Sequence, residues 1–367
     1  MKIAIYHNLE KGGALNFIIE ILKYLIKDNK IDVYCFQKNI SNKLVDKFYV
    51  YKIKKTNNIL SNLKQAIYSL KKINKKIAQK INKNNYDLIL VFPCLLTQSP
   101  YVLRFLKNKQ KIIYFFTEPK REFYEKTSFA YFSLLKIVAK LIRLPLKFID
   151  KKNCQSATHI VTNSFFTSTN LEKIYGKKSI VIYPGLKQIV PRKITIQNNK
   201  KILSVGQISK IKGHDFSIKQ IVNITDNITI LGRETNESKK IFNIATKKGI
   251  FLNILKTEND KTKNDLYKYY SIFLANNYNE PFGITTLEAT TNNCLVLGKN
   301  NGGTSEIIQN GVNGCLYSNI KEAKFILKKV MSQKEIYIYQ TKVIDWKYTS
   351  DKILDFYYTH IKHEQKN

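Results

Sequence analysis

The chain has 367 residues, which is too long for one ordinary core and predicts two domains. Hydrophobic residues make up 44% and charged residues 24% of the chain, proportions that exclude a largely disordered or coiled-coil protein. The net charge is +35, yet only five of the 62 basic residues are Arg. Because nucleic-acid readers favour Arg for its rigid donor fork, the charge alone does not indicate nucleic-acid binding.

The compartment is predicted from what the sequence lacks. The first seven residues hold no apolar run long enough for a signal peptide. No uncharged apolar stretch of about 18 residues occurs. The five cysteines form no Cys-x-x-Cys pair, so neither a zinc site nor a disulfide framework is expected. We therefore expect a cytoplasmic chain with reduced thiols.

Short apolar runs alternate with longer amphipathic ones along most of the chain. Strands are predicted at residues 2–7, 31–37, 86–93, 111–117, 159–163, 179–183, 201–205, 228–231, 250–255, 271–275 and 294–297. Helices are predicted between them, for example at 15–27 and 60–82. This alternation of near-continuous apolar strands with helices is typical of parallel sheets that are covered on both faces.

The alternation is interrupted between residues 184 and 200, where two prolines and a polar run occur. Two series separated in this way predict an α/β protein with two doubly wound, Rossmann-like domains facing each other across a cleft. We place the domains at 1–186 and 187–344, followed by a terminal segment at 345–367. Ligands of such sheets bind at the carboxyl ends of strands, so functional residues should follow strands.

Residues 279–290, which follow a predicted strand, are the richest in candidate functional side chains. Gly283 is expected to begin a helix, whose N–H groups and partial positive charge suit phosphate or sugar oxygens. Glu280 and Glu288 would then border one pocket, where carboxylates accept hydrogen bonds from sugar hydroxyls. In the alternative interpretation, Glu280 only caps the helix dipole and Glu288 is solvated.

The pattern Glu280-x7-Glu288, within Glu-Pro-Phe-Gly-x3-Leu-Glu-Ala, resembles the signature of family 4 retaining glycosyltransferases of the GT-B fold. Other segments are similar to stretches of that family in the same order: 12–13, 162–164, 183–185, 205–215 and 302–314. The resemblance covers essentially the whole chain. It implies a GT-B architecture in which the segment 345–367, which carries Trp346, packs back on the first domain.

The resemblance also implies roles for single residues. Glu288 would hold the ribose hydroxyls of a nucleotide, Glu280 would contact the donor sugar, and Lys212 would neutralise the leaving diphosphate. The implied catalytic residues are Glu280, Lys212 and Thr117. The implied donor-binding residues are Gly13, Gly206, Gln207, Lys212, Glu280, Phe282, Gly283, Ile284, Thr285 and Glu288. The family's reaction retains the anomeric configuration without an obligatory metal or cofactor, and this sequence has no Asp-x-Asp motif.

The sequence departs from the family pattern at three places. Gln207 stands where the family usually has Arg, so one cation on the diphosphate is missing unless Lys210 substitutes. Thr117 replaces the His that usually lies near the donor sugar. The family's Gly-x-Pro-Val after the glutamate helix is Asn-Cys-Leu-Val at 293–296. These changes bear on donor identity and rate more than on fold.

Two histidines are further candidates. His214 would either touch a phosphate directly or, more commonly for a loop His, be structural. His7 would either line the cleft or simply end the first strand.

A helix over residues 132–149 would carry Lys136, Lys140, Arg143 and Lys147 as one cationic stripe in an otherwise apolar segment. Such a helix suits the plane of an anionic membrane. It is equally typical of a core helix whose Lys face points to water and whose last turn is broken by Pro145. Both interpretations are open, and the Lys-rich segment at 60–82 favours the first.

We therefore expect a metal-independent hexosyltransferase that is cytoplasmic and peripheral at the inner face of the membrane. It would move a sugar from a nucleotide-diphosphate sugar to a glycan or lipid-linked acceptor in cell-surface polysaccharide or glycolipid synthesis. An anionic membrane surface, contacted through residues 132–149, is a further expected partner, and nucleic acid is not. The alternatives are a catalytically degenerate GT-B binding partner, which Gln207 and Thr117 favour, and a nucleotide-sugar epimerase on the same scaffold.

Overall fold

The computed structural model describes residues 1–53, 58–125, 134–186, 193–196, 200–256, 263, 266–339 and 344–362. The chain divides into two compact units. Unit 1 consists of Met1–Gly185 together with Asp345–Asn367, and unit 2 consists of Leu186–Ile344. The chain therefore begins and ends in the same unit.

Unit 1 is built on a seven-stranded parallel sheet with the order β3-β2-β1-β4-β5-β6-β7. Its strands are β1 (Lys2–Asn8), β2 (Lys30–Cys35), β3 (Lys47–Val50), β4 (Leu88–Cys94), β5 (Ile112–Phe116), β6 (His159–Thr162) and β7 (Ile180–Val181). Every residue of β4 and β5 is buried. That burial agrees with their continuous apolar sequence, because helices cover both faces of such a sheet.

The helices of unit 1 connect and cover these strands. They are α1 (Gly13–Leu25), α2 (Ile59–Lys64), α3 (Leu70–Lys83), α4 (Val102–Phe105), α5 (Arg121–Tyr124), α6 (Leu134–Gln155), α7 (Phe165–Tyr175) and, at the end of the chain, α13 (Trp346–Phe356). A π-helical turn at Gln65–Ser69 joins α2 to α3. None of the described helices is long and apolar enough to span a membrane.

The last helix, α13, packs on α1 of unit 1. The carboxylate of Asp345 accepts a hydrogen bond from the Tyr348 N–H at 2.7 Å and so begins the helix. The Trp346 ring meets Phe17 edge to face, with ring centroids 5.4 Å apart. Ile353 is fully buried in the same core. The terminal segment is thus part of the hydrophobic core of unit 1.

Unit 2 is built on a six-stranded parallel sheet with the order β11-β10-β9-β12-β13-β14. Its strands are β9 (Ile202–Val205), β10 (Asn227–Leu231), β11 (Phe251–Leu255), β12 (Ile272–Ala275), β13 (Leu295–Lys299) and β14 (Gly314–Tyr317). A separate antiparallel pair joins β8 (Lys193–Ile196) to β15 (Ile336–Tyr339). The described helices are α8 (His214–Ile221), α9 (Ser238–Lys247), α10 (Ile284–Thr291), α11 (Thr304–Ile307) and α12 (Ile320–Ser332).

The predicted fold class, two doubly wound parallel α/β sheets, is confirmed. Both sheets share one topology, in which the chain builds outward on one side of a central strand and then returns to build on the other. Such an order creates a switch point where neighbouring connections leave in opposite directions. In unit 2 this point lies between β9 and β12.

One local prediction is wrong. Pro145 was expected to break the last turn of a helix ending near residue 149, but α6 continues through Pro145 to Gln155. Proline removes the N–H that would bond the carbonyl four residues earlier. That carbonyl belongs to Leu141, whose side chain is exposed, so water is able to hydrate it and the helix continues.

Candidate functional site

The switch point of unit 2 brings together two loops that the sequence analysis selected. One loop follows β9 and runs from Gly206 to Gly213, where α8 begins. The other follows β12 and runs from Asn276 to Gly283, where α10 begins. In an open parallel sheet, this edge is the usual place for a ligand.

The Lys212 ammonium and the Glu280 carboxylate, one from each loop, form an ion pair at 2.9 Å. The side-chain amide of Asn277 donates to the same carboxylate oxygen at 2.7 Å. The side chains of Lys212 and Glu280 are 27% and 15% exposed, so the pair remains accessible to solvent. Glu280 is therefore paired with Lys212, which an interaction with the helix dipole alone would not require.

The backbone of the first loop is held from below by His214, which is fully buried. Its Nε2 lies 3.3 Å from the Gly206 carbonyl oxygen, and its Nδ1 lies 3.2 Å from the Ser204 hydroxyl. Burial lowers the pKa of His214 to about 4, with opposing backbone hydrogen bonds. The aliphatic chain of Lys212 lies directly over Gly206, since a Cβ there would meet it at 3.1 Å. His214 therefore orients the loop that lies beneath Lys212. This contact agrees with a structural role for His214.

The two loops meet at Gly213 and Asn276. Gly213 has φ +66, and a Cβ there would lie 2.1 Å from the carbonyl oxygen of Asn276, so only glycine permits this approach. The Asn276 amide donates to Ser217 and Gln220, each at 2.9 Å, and all three side chains are fully buried. Buried polar groups that satisfy one another in this way fix the position of the loops.

The predicted glycine stretch at 302–303 packs beneath the second loop. The Gly303 N–H donates to the Glu280 carbonyl at 2.7 Å. A Cβ on Gly303 would lie 2.4 Å from the Cα of Phe282, so a larger residue would push the loop away. This contact explains why glycine is needed at this point of the sequence after Glu280 and Glu288.

Glu288 lies in the second turn of α10 and is buried, with 9% of its side chain exposed. Its Oε1 lies 2.5 Å from the Lys263 ammonium, and its Oε2 accepts from the Tyr267 hydroxyl at 2.9 Å. The interpretation of Glu288 as a solvated surface residue is therefore wrong. Lys263 and Tyr267 were not singled out from the sequence, although Tyr267 is fully buried within a Lys-rich segment.

The remaining predicted donor residues of unit 2 lie around these two carboxylates. Gly206 is half-buried and Gln207 is exposed at the start of the first loop. Phe282 is buried, Gly283 precedes α10, and Ile284 and Thr285 are its first two residues. The backbone N–H groups of Gly283, Ile284 and Thr285 lie at the first turn of α10, where N–H groups have no intrahelical partner.

Two predicted residues belong to unit 1. Gly13 is the first residue of α1 and is exposed, just after β1. Thr117 follows β5, is half-buried, and its carbonyl accepts from the Thr167 hydroxyl at 3.4 Å. Both therefore lie at carboxyl ends of strands. Within the described part of the chain, no three His, Cys, Asp or Glu side chains come together as a metal site.

Comparisons with known proteins identify relatives of this chain. Residues 187–341 match the family described as glycosyl transferases group 1. The human alpha-1,3/1,6-mannosyltransferase ALG2 is 25% identical over 248 residues, or 59% of this chain. The match spans 58% of that protein, so it covers less than two thirds of the relative. Residues 187–341 are therefore similar to the group 1, or family 4, glycosyltransferases, and the resemblance is confirmed over these residues.

Solved structures show the same fold over the whole chain. HepE of Anabaena, in complex with UDP and glucose, has a TM-score of 0.67 at 15% identity, covering 98% of this chain and 100% of that one. WaaG, described as a glycosyltransferase involved in lipopolysaccharide biosynthesis, has a TM-score of 0.64 at 15% identity, covering 97% and 95%. These similarities confirm the GT-B fold.

Proposed function

We propose that this protein is a retaining glycosyltransferase that moves a hexose-type sugar from a nucleotide-diphosphate sugar to a glycan or lipid-linked acceptor. The observation that carries the proposal is the Lys212–Glu280 pair at the switch point of unit 2, followed along the chain by the buried Glu288 carboxylate on α10. This arrangement supplies one cation for a diphosphate and two carboxylates for hydroxyl groups.

The donor is held by the residues of unit 2. Glu288 accepts hydrogen bonds from the ribose hydroxyls, and Glu280 accepts them from the sugar. The N–H groups at the start of α10 (Gly283, Ile284 and Thr285) bind sugar or distal phosphate oxygens. Gly206 and Gln207 line the phosphate side.

Lys212 acts when the bond between the anomeric carbon and the diphosphate oxygen breaks. The electron pair goes to the diphosphate, where the ammonium stabilises the added charge. A partly exposed ion pair contributes only about 1 kcal/mol or less, so exchanging Glu280 for a diphosphate costs Lys212 little. The acceptor oxygen bonds the anomeric carbon on the same face, and its proton passes to the departing diphosphate oxygen. Lys212 and the N-terminus of α10 stabilise the charge of the leaving diphosphate without a metal ion.

Unit 1 supplies the acceptor side in this proposal. We assign residues 1–186 to acceptor binding, 187–344 to the nucleotide sugar, and 345–367 to the support of unit 1. The resemblance assigns Gly13 to the donor phosphate, because a residue without a side chain permits close backbone approach, and it assigns Thr117 to the reacting sugar. Three of the similar proteins support a hexose donor and a cell-surface acceptor. They are a mannosyltransferase, a protein with bound UDP and glucose, and an enzyme involved in lipopolysaccharide biosynthesis. We place the enzyme in the cytoplasm, peripheral at the inner face of the membrane.

One experiment tests the donor site directly. Thermal shifts are measured with UDP, GDP, ADP, CMP and dTDP, alone and with common sugars attached, because a ligand of the native state raises its melting temperature. A shift with one nucleotide identifies the base and supports the proposal. No shift with any nucleotide sugar, in a folded sample, overturns it in favour of the degenerate binding partner, which the exposed Gln207 favours.

The epimerase alternative is separated by product analysis. Incubating the identified nucleotide sugar without acceptor should leave its sugar unchanged. Conversion to an epimer would contradict the transferase proposal.

A further inference from the structure

Helix α6 is oriented with its apolar stripe away from the body of unit 1. Its inward face carries Leu146, Asp150 and Cys154, which are 3%, 0% and 0% exposed. Its outward face carries Leu141 and Phe148, which are 62% and 67% exposed. Val138 and Leu144, at 45% and 37% exposure, extend the same outward stripe at helical spacing.

Two basic side chains of α6 contact residues that lie before it in unit 1. The Arg143 guanidinium lies 2.8 Å from a carboxylate oxygen of Glu122. The Lys147 ammonium lies 5.0 Å from the centre of the Tyr124 ring. The exposed side of α6 therefore carries apolar side chains, Leu141 and Phe148 above all, and not a purely charged face.

A second element extends the exposed apolar surface. Helix α2 packs against α6, with Leu63 and Ile67 joining Leu146 and Ile149 in one cluster. In this segment Leu60 is 61% exposed and Tyr68, in the π-helical turn, is 68% exposed. We call the surface formed by the exposed side chains of both helices the α2–α6 face: Leu60, Tyr68, Val138, Leu141, Leu144 and Phe148.

The charge around the α2–α6 face is cationic. Residues 59–83 include seven Lys and no Asp or Glu. Lys64, Lys71 and Lys72 are exposed and lie four residues before and three and four residues after Tyr68, on its side of the helix. Near the end of α6, Lys151 and Lys152 are also exposed. The one acidic residue of α6, Asp150, is buried and hydrogen-bonded to the Ser99 N–H and the Tyr175 hydroxyl.

We propose that the α2–α6 face docks on an anionic lipid bilayer. Exposed apolar side chains flanked by lysines are what an interfacial helix needs, because the apolar groups enter the acyl boundary and the lysines meet anionic headgroups. The charge complementarity favours lipid over a second copy of this chain, whose own net charge is +35 and would repel it. This partner goes beyond the proposed transfer reaction, and it is tested without any sugar nucleotide.

The experiment uses the full chain and sedimentation with vesicles. We expect binding to phosphatidylcholine vesicles that contain about a third phosphatidylglycerol, and much weaker binding to pure phosphatidylcholine. Leu141→Ser with Phe148→Ser should reduce binding by about tenfold or more, because both side chains lose apolar burial. Phe242→Ser with Phe325→Ser is the matched control, since these exposed residues of unit 2 are 52% and 71% exposed and should leave binding unchanged.

The charge is tested with a second matched pair. Lys71→Gln with Lys72→Gln should weaken binding and reduce its salt dependence. Lys328→Gln with Lys329→Gln, two exposed neighbours on α12, should do neither. All these residues are exposed, so the variants are expected to fold, and melting temperatures check this.

Two results would overturn the proposal. The first is equal vesicle binding by wild type and by the Leu141→Ser, Phe148→Ser variant. The second is no binding to anionic vesicles together with a dimer in sedimentation equilibrium that this variant abolishes, since the face would then join two copies of the chain. Neither result bears on the donor site, so failure here is distinct from failure of the proposed function.

Discussion

The Lys263 ammonium lies 2.5 Å from Oε1 of Glu288, and the Tyr267 hydroxyl lies 2.9 Å from the other oxygen of the same carboxylate. Glu288 thus has a partner on each carboxylate oxygen before any ligand is considered. This pairing orients a buried carboxylate in the second turn of α10.

Removing the cation tests that pairing. We expect Lys263→Met to lower the free energy of unfolding by about 1–3 kcal/mol, because the buried carboxylate loses its charge partner. Urea denaturation measures the change. The double variant Lys263→Met, Glu288→Gln should recover most of the loss. If the two single losses simply add in the double variant, the two side chains are not coupled.

Glu288→Gln alone tests the donor site. We expect nucleotide affinity to fall about 10- to 100-fold, because ribose hydroxyls bond a charged carboxylate more strongly than a neutral amide. Isothermal titration with the nucleotide identified by thermal shift measures the loss. Glu322→Gln, on α12 of the same unit, should bind normally. Unchanged affinity in folded Glu288→Gln would remove Glu288 from the donor site.

Lys212→Met tests the leaving-group role. We expect kcat to fall about 100-fold with a smaller change in KM, because the ammonium acts on charge that develops in the transition state. Lys210→Met is the control. The same variant tests whether Lys210 supplies the cation that is missing because Gln207 stands in place of Arg. A comparable loss in Lys210→Met would assign it a share of the diphosphate. An unaffected rate in Lys212→Met would refute the role proposed for Lys212.

His214 is expected to act as a positioning residue through Gly206. His214→Gln keeps an amide N–H near the place of Nε2, whereas His214→Asn places its amide nearer Nδ1. We expect kcat of the Gln variant to stay within about threefold of wild type and that of the Asn variant to fall about tenfold. Melting temperatures and KM are measured beside kcat. If kcat of both variants follows stability alone, the residue has no positioning role.

Acid should destabilise the fold through its buried histidines. Burial lowers the pKa of His7 and of His214 to about 4, whereas an unfolded His titrates near pH 6.5. The unfolded chain therefore binds more protons between about pH 4 and 6.5, and the free energy of unfolding falls as pH drops through this window. Each histidine contributes a slope of at most about 1.4 kcal/mol per pH unit.

Urea denaturation at several pH values measures this slope. His7→Gln should remove part of it, and His360→Gln, which changes an exposed residue, should leave it unchanged. A slope that is the same in all three proteins would exclude His7 as a source.

The sheets of this protein are readable from the sequence because buried parallel strands are continuous apolar runs between turn residues. The antiparallel β8–β15 pair was missed because it joins strands separated by more than a hundred residues. Glu280 and Glu288 were singled out because their spacing in the sequence is local. Lys263 was missed because a Lys in a Lys-rich segment carries no signal until the fold places it beside Glu288.

The orientation of α6 was undecided for a different reason. A periodic pattern of apolar and basic residues gives the two faces of a helix but not which face meets the protein. Glu122, which pairs with Arg143, lies in a short helix whose contact with α6 no periodicity reveals. The Arg143–Glu122 ion pair therefore gives the orientation of Arg143 on α6, which the sequence pattern does not.

The return of α13 to unit 1 has a consequence for synthesis on the ribosome. Unit 2 is one continuous stretch, Leu186–Ile344, whereas unit 1 needs Asp345 and the residues after it. Trp346, Ile353 and Phe356 fill the core of unit 1 beside Phe17, so this core is incomplete until these three residues leave the exit tunnel. The half of the protein that is translated first is therefore the half that finishes folding last.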